Sequence, residues 1–185
     1  MDSIYVRTLR MVPARPHDTP AWLISFSLER SLLMSATLLF VIVLALAWYN
    51  VGTIWAHEID IFRTWRLVPA ASFHAVQTSH WHKLPYWVFL PVGLTLLGST
   101  ALVWYHPPLV PRLALAGNAA CQLLSAVLTG WLWGPWQAAL SRDSAGSASD
   151  FLARILRTHW IRTFLITAGG VLLLVGLGSA LYPGR

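Results

Sequence analysis

The chain has the length of one domain, 185 residues, and its composition excludes an ordinary water-soluble one. Hydrophobic residues make up 56% of it and charged residues 11%, against roughly 25% charged in soluble domains. That is too little charge to cover a surface in water, so much of the outside must face lipid. The net charge of +6 would suggest nucleic acid in a soluble domain. Here the cations flank hydrophobic stretches, so anionic lipid headgroups explain them and no nucleic-acid partner is expected. A single cysteine, Cys121, excludes an internal disulfide, paired-cysteine metal sites and the paired-thioether haem attachment motif. It sits in an apolar stretch and reads as a small packing residue.

In chain order, residues 1–30 form a polar tail with Arg7, Arg10, Arg15 and Arg30, made mostly irregular by Pro13, Pro16 and Pro20. No apolar core precedes residue 31 and no small-residue cleavage site follows, so the tail does not read as a signal peptide. Residues 31–182 then read as an all-α integral membrane domain, a four-transmembrane-helix bundle. Its spans lie at about 31–49, 86–104, 113–140 and 163–181, each near the roughly 20 residues a bilayer needs. Trp48, Tyr49, Tyr86, Trp87, Trp104, Tyr105, Trp160 and Tyr182 fall at span ends, as an interfacial aromatic belt requires. Four spans put both termini on one side. The cations split six against seven between the two sides and give no usable bias. The uncleaved polar N-terminus favours cytoplasmic termini, in what reads as a bacterial inner-membrane protein.

The segment 50–85 is long for a turn between neighbouring helices. Trp55, Ile59, Phe62 and Trp65 recur every three to four residues, so its first half is expected to be helical, either extending the first span or lying at the interface. Pro69 ends it. From Ser72 to Leu84 a second helical stretch places Phe73, Gln77, His80 and Leu84 on one face, as an amphipathic lid over the bundle would.

Antiparallel topology gathers chemistry at one end. The loops after spans one and three share a face that receives His57, His74, His80, His82 and His159, with Glu58, Asp60, Asp143 and Asp150. Asn118, Gln122, Ser125 and Thr129 form one stripe of the third span, and polar side chains are costly against lipid, so the stripe is expected to face inward. Leu115 and Leu123 fall on its other faces. Asn50, Thr53 and His57 continue an inward line on the first span; His159, Thr163, Thr167 and Gly170 do so on the fourth. His57, His80 and His159 are therefore expected to converge, with Glu58 and Arg162 close by.

Several residues also carry a resemblance. Phe73, Gln77, His80-Trp81 and Leu84-Pro85, followed by an apolar span with Pro91, resemble the second-helix entry of the anthrone-oxygenase-like family of small four-span membrane proteins. The closing part is similar too: Trp136-Gln137-Ala138-Ala139-Leu140, a short loop, then Arg157-Thr158-His159-Trp160-Ile161-Arg162-Thr163 opening the last span. The likeness covers about residues 30 to 182. The long tail, the His57-Glu58 pair and the tryptophan density depart from the family pattern. The resemblance implies an oxidoreductase that oxidises a small hydrophobic aromatic substrate with dioxygen. His80 and His159 are the candidate bases and Arg162 the candidate holder of an anionic oxygen, with Asn118, Gln122, Trp133 and Trp136 against the substrate.

Two other classes stay open. His57, Glu58, His80 and His159 have donor types that suit a transition metal such as iron or copper, though no recognised ligand spacing joins them. A b-type haem would want histidines on facing helices. Alternatively the chain is a non-enzymatic small subunit, packing as a homo-oligomer or in a larger membrane complex through its tryptophan-rich surfaces.

Overall fold

The computed structural model describes residues 21–182, apart from the side chains of residues 21–28 and of Ser31. Most of the expected N-terminal tail thus lies outside the described residues. Four helical runs are long and apolar enough to cross a membrane: Leu32–Leu67, Ala70–Trp104, Arg112–Leu140 and Asp150–Leu181. We call them the first to fourth helices. Among the described residues there is no strand. The first helix already includes residues from Ala21, ten before the start expected at residue 31.

The helices form a four-membered ring, first against second, second against third, third against fourth, fourth against first. At a rise of about 1.5 Å per residue they are about 43–54 Å long, well beyond an apolar core of about 30 Å. The extra length absorbs the segment expected to be a lid. Residues 50–67 prolong the first helix, and Ala70–Leu84 runs straight into the second. The chain turns sharply at Val68-Pro69, and Gly146, with φ of +57°, packs against Ala70 and Phe73 from the next loop. The segment expected to be a lid therefore extends the first and second helices. The face read for it is right, since Phe73, Gln77 and Leu84 are buried.

Three helices widen to π geometry at one level: His57–Ile61, Pro85–Phe89 and Thr129–Trp133. Each turn is closed by an i→i+5 bond, from Phe62 N–H to His57 O, Leu90 N–H to Pro85 O and Gly134 N–H to Thr129 O. Two of the turns are explained by proline. Pro85 and Pro135 have no N–H for the carbonyls of Trp81 and Trp131, and the ladder loosens beside them. Pro91 likewise frees the carbonyl of Trp87, which accepts a hydrogen bond from Tyr49 Oη at 3.0 Å. A neighbouring helix thus satisfies the carbonyl.

The interior is layered. One end is an apolar plug of Phe40, Val43, Ala47, Leu102, Val110, Leu115 and Leu173. Leu115, read as lying off the inward face, is fully buried there, because the third helix is covered by two neighbours and its inward arc is wider than one stripe. Leu123 is exposed as expected. Gly98 lets the second helix approach the first; a Cβ there would sit 2.5 Å from Val43 Cγ2. Next comes a polar layer in which Asn118 Nδ2 donates to Ser99 Oγ at 2.7 Å, Gln122 Nε2 to Asn118 Oδ1 at 3.4 Å and Asn50 Nδ2 to Thr95 Oγ1 at 2.8 Å. The far end is closed by Phe62, Trp65, Phe73, Leu140, Leu152 and Ile155. All eight belt aromatics named above are exposed.

Candidate functional site

Between the polar layer and the closed end lies a cavity of about 370 Å³, within the range of small-molecule sites. All four helices contribute: Asn50, Thr53 and His57 from the first, His80 to Leu96 from the second, Ser125 to Gln137 from the third, Arg162 and Ile166 from the fourth. Most of the wall is apolar. Arg162 is the one Asp, Glu, Lys or Arg among the described residues that line it.

The π turns aim the polar groups. His57 opens the turn of the first helix, and its Nδ1 lies 2.7 Å from the carbonyl of Thr53. A carbonyl only accepts, so Nδ1 carries the proton, and the neutral ring keeps a lone pair on Nε2. That Nε2 is buried and has no partner. The ring of His80 stands edge-on to His57, centroids 5.3 Å apart, and its Nε2 is also buried and unpartnered. Trp65 and Phe62 pack against the two rings, at 5.2 Å from His80 and 5.5 Å from His57.

The first and fourth helices share a charged relay. Arg63 Nη2 donates to Glu58 Oε1 at 3.1 Å, and Arg63 Nε to the Glu58 carbonyl at 3.0 Å. Glu58 Oε2 accepts from His159 Nδ1 at 2.9 Å, and His159 Nε2 accepts from Arg162 Nη2 at 2.6 Å. His159 has no exposed surface. Its two nitrogens are both used, one donating to a carboxylate and one accepting from a guanidinium, which defines the Nδ1–H tautomer. Arg162 is held further by Thr129 Oγ1 at 3.3 Å and by the face of Trp133, 5.2 Å from Cζ. Its Nε is buried and has no partner. Among the described residues no carboxylate lies within ion-pair distance of Arg162. One carboxylate, Glu58, thus stands against two guanidinium groups, and the cavity wall keeps a net positive charge.

His57, His80 and His159 do come together: His57 and His159 pack on the ring of Phe62, and His80 packs on His57. They differ in how their nitrogens are engaged: both nitrogens of His159 have partners, Glu58 and Arg162, and His159 does not line the cavity. The proposed metal set of His57, Glu58, His80 and His159 does not assemble. Glu58 and His159 are spent on each other and on the two arginines, and among the described residues no group of three His, Cys, Asp or Glu could hold a metal ion. Asn118 and Gln122 are buried but do not line the cavity; they bond to each other and to Ser99. Ser125 and Thr129, further along the same stripe, do line it. Trp133 lies in the wall, whereas Trp136 packs on the apolar cluster at the closed end. His74 turns away to the carbonyl of Ser141, and His106 to Arg112 on the opposite side. Phe62, Trp81 and Asn50 are wall residues that sequence reasoning did not assign to a site. Asn50 was signalled by its polar stripe; Phe62 and Trp81 carry no mark that separates them from the other aromatics.

No family model, no curated protein and no solved structure matches this chain.

Proposed function

We propose that the chain is a multi-pass membrane enzyme that deprotonates a small hydrophobic aromatic substrate in this cavity and lets dioxygen oxidise the resulting anion, as the likeness to anthrone oxygenases implies. The observation that carries the reading is one cavity wall bearing both a neutral imidazole with a free, buried Nε2 on His57 and a buried guanidinium without a carboxylate on Arg162. A base and a cation that share an apolar enclosure suit a reaction that creates an oxyanion. In an anthrone, the methylene C–H proton passes to His57 Nε2 and the charge moves to the carbonyl oxygen, held by Arg162. Dioxygen takes electrons from the enolate and bonds to its carbon, and the hydroperoxide loses water to leave the second carbonyl. One anthrone and one dioxygen give one anthraquinone and one water. His80, edge-on to His57, is the second acceptor for the proton.

The test is anthraquinone formation and oxygen uptake by the protein in phosphatidylcholine vesicles supplied with anthrone. Loss of a general base lowers turnover about 10²–10⁴-fold, so His57→Ala is expected to fall by that order, and Leu123→Ala, on the exposed face, to retain the parental rate. Parental protein no faster than empty vesicles, or His57→Ala at full rate, would sink the proposal.

A further inference from the structure

We infer that the cavity loads sideways from the bilayer, through a window between the second and third helices, and that its ligand is an amphiphilic aromatic anion lying with its acidic oxygen inward on Arg162. This rests on the membrane reading above, though not on the oxidation step. The two helices are joined at both ends of the window. Toward the closed end Gln77 Nε2 donates to the carbonyl of Gln137 at 3.3 Å, with His74 Nδ1 3.0 Å from the carbonyl of Ser141. Toward the plug Asn118 Nδ2 donates to Ser99 Oγ at 2.7 Å. Between these ties the described residues show no hydrogen bond from one helix to the other, and the cavity is lined there by Val88, Val92 and Leu96 on one side and Ala126 on the other. Both π turns of these helices, Pro85–Phe89 and Thr129–Trp133, fall inside that interval. Two wall residues in it are glycines, Gly93 and Gly130, and a Cβ added at either would meet nothing within 4 Å. At this level a side chain added to either helix would have room.

Both ends of the bundle are shut. Five buried apolar side chains fill the end beyond Phe62, and the plug and polar layer fill the other. A ligand that enters through an apolar window must partition into lipid, and the one charge awaiting it is Arg162, whose Nε lacks a partner. Acid head and apolar aromatic body satisfy both demands.

The test uses 4-benzoylbenzoate as a photoactivatable probe, with its methyl ester as the neutral control, preloaded into phosphatidylcholine vesicles holding the full chain. After brief illumination, peptides are mapped by mass spectrometry. The acid, and not the ester, is expected to label Val92, Leu96 and Ala126. A charged hydrogen bond is worth about 1.5–3 kcal/mol, so Arg162→Gln is expected to weaken labelling about tenfold or more. The double variant Gly93→Phe/Gly130→Trp, which fills the window where the fold has room, is expected to lower the initial labelling rate to that of the ester. Leu97→Phe/Leu123→Phe, on exposed positions of the same helices, is expected to label like the parent. Undiminished labelling in the glycine double variant overturns the window, and equal labelling by acid and ester overturns the anionic ligand. Normal labelling beside absent anthrone turnover leaves this inference standing and removes only the oxidation chemistry.

Discussion

At the scale of single residues, the site depends on how each histidine spends its two nitrogens. His57 gives one to the carbonyl of Thr53 and keeps one free, whereas His159 spends both. This follows from position: Thr53 is one helical turn before His57, while Glu58 and Arg162 happen to flank His159 on either edge. The first relation is readable in sequence spacing. The second joins residues 101 apart in the chain, and no local pattern announces it. Glu58 and Arg63 also differ in consequence although they form one ion pair, because the Arg63 side chain is 59% exposed and that of Glu58 11%. Glu58→Ala strands a buried His159 N–H and the charge of Arg162, a loss of about 1–3 kcal/mol. Arg63→Ala removes an exposed partner worth about 0–1 kcal/mol. Thermal unfolding in detergent is expected to rank the two in that order. Equal melting points would mean that the relay does not hold the fourth helix in place.

At the scale of elements, the prolines shape the cavity. Pro85 and Pro135 sit beside π turns, and Pro91 leaves a carbonyl that Tyr49 reaches from the first helix. Tyr49→Phe is expected to cost about 0.5–1.5 kcal/mol, the net value of a hydrogen bond. In a Pro91→Ala background the cost is expected to vanish, since the restored N–H of residue 91 can bond to Trp87 O. A double-mutant cycle by thermal unfolding reads the coupling, and strict additivity would contradict it. The segment 50–85 shows where sequence reading stopped at this scale. Its helical periods and the break at Pro69 were legible, as was the buried face of Phe73, Gln77 and Leu84. Whether the two halves lie on the membrane surface or prolong the spans was not, because an amphipathic face looks the same against lipid headgroups as against Leu140, Leu152 and Ile155. The stripe Asn118–Thr129 divides for a similar reason. Spacing shows that it faces inward, but only the neighbouring helices decide that Asn118 meets Ser99 while Thr129 meets Arg162.

At the scale of the molecule, four helices of alternating direction put all the cavity chemistry at one end and an apolar plug at the other. The span count and the positions of the histidines made the gathering of chemistry at one end legible in the sequence, whereas the plug and the lateral window depend on how the helices pack. Reporter fusions at residues 20, 70, 108, 145 and 185 are expected to alternate, with 70 and 145 in one compartment and 20, 108 and 185 in the other. Fusions at 20 and 185 on opposite sides would contradict the four-span count. The central claim is that this cavity removes a proton from a hydrophobic substrate, and hydrogen exchange tests it without involving oxygen. The protein in vesicles is incubated anaerobically with anthrone in deuterated buffer, and deuterium at the methylene carbon is followed by mass spectrometry. The parental chain is expected to speed exchange well above that in empty vesicles, with His57→Ala and Arg162→Gln both returning it toward that background. Exchange at the background rate with the parental chain, or unchanged in both variants, would contradict the account.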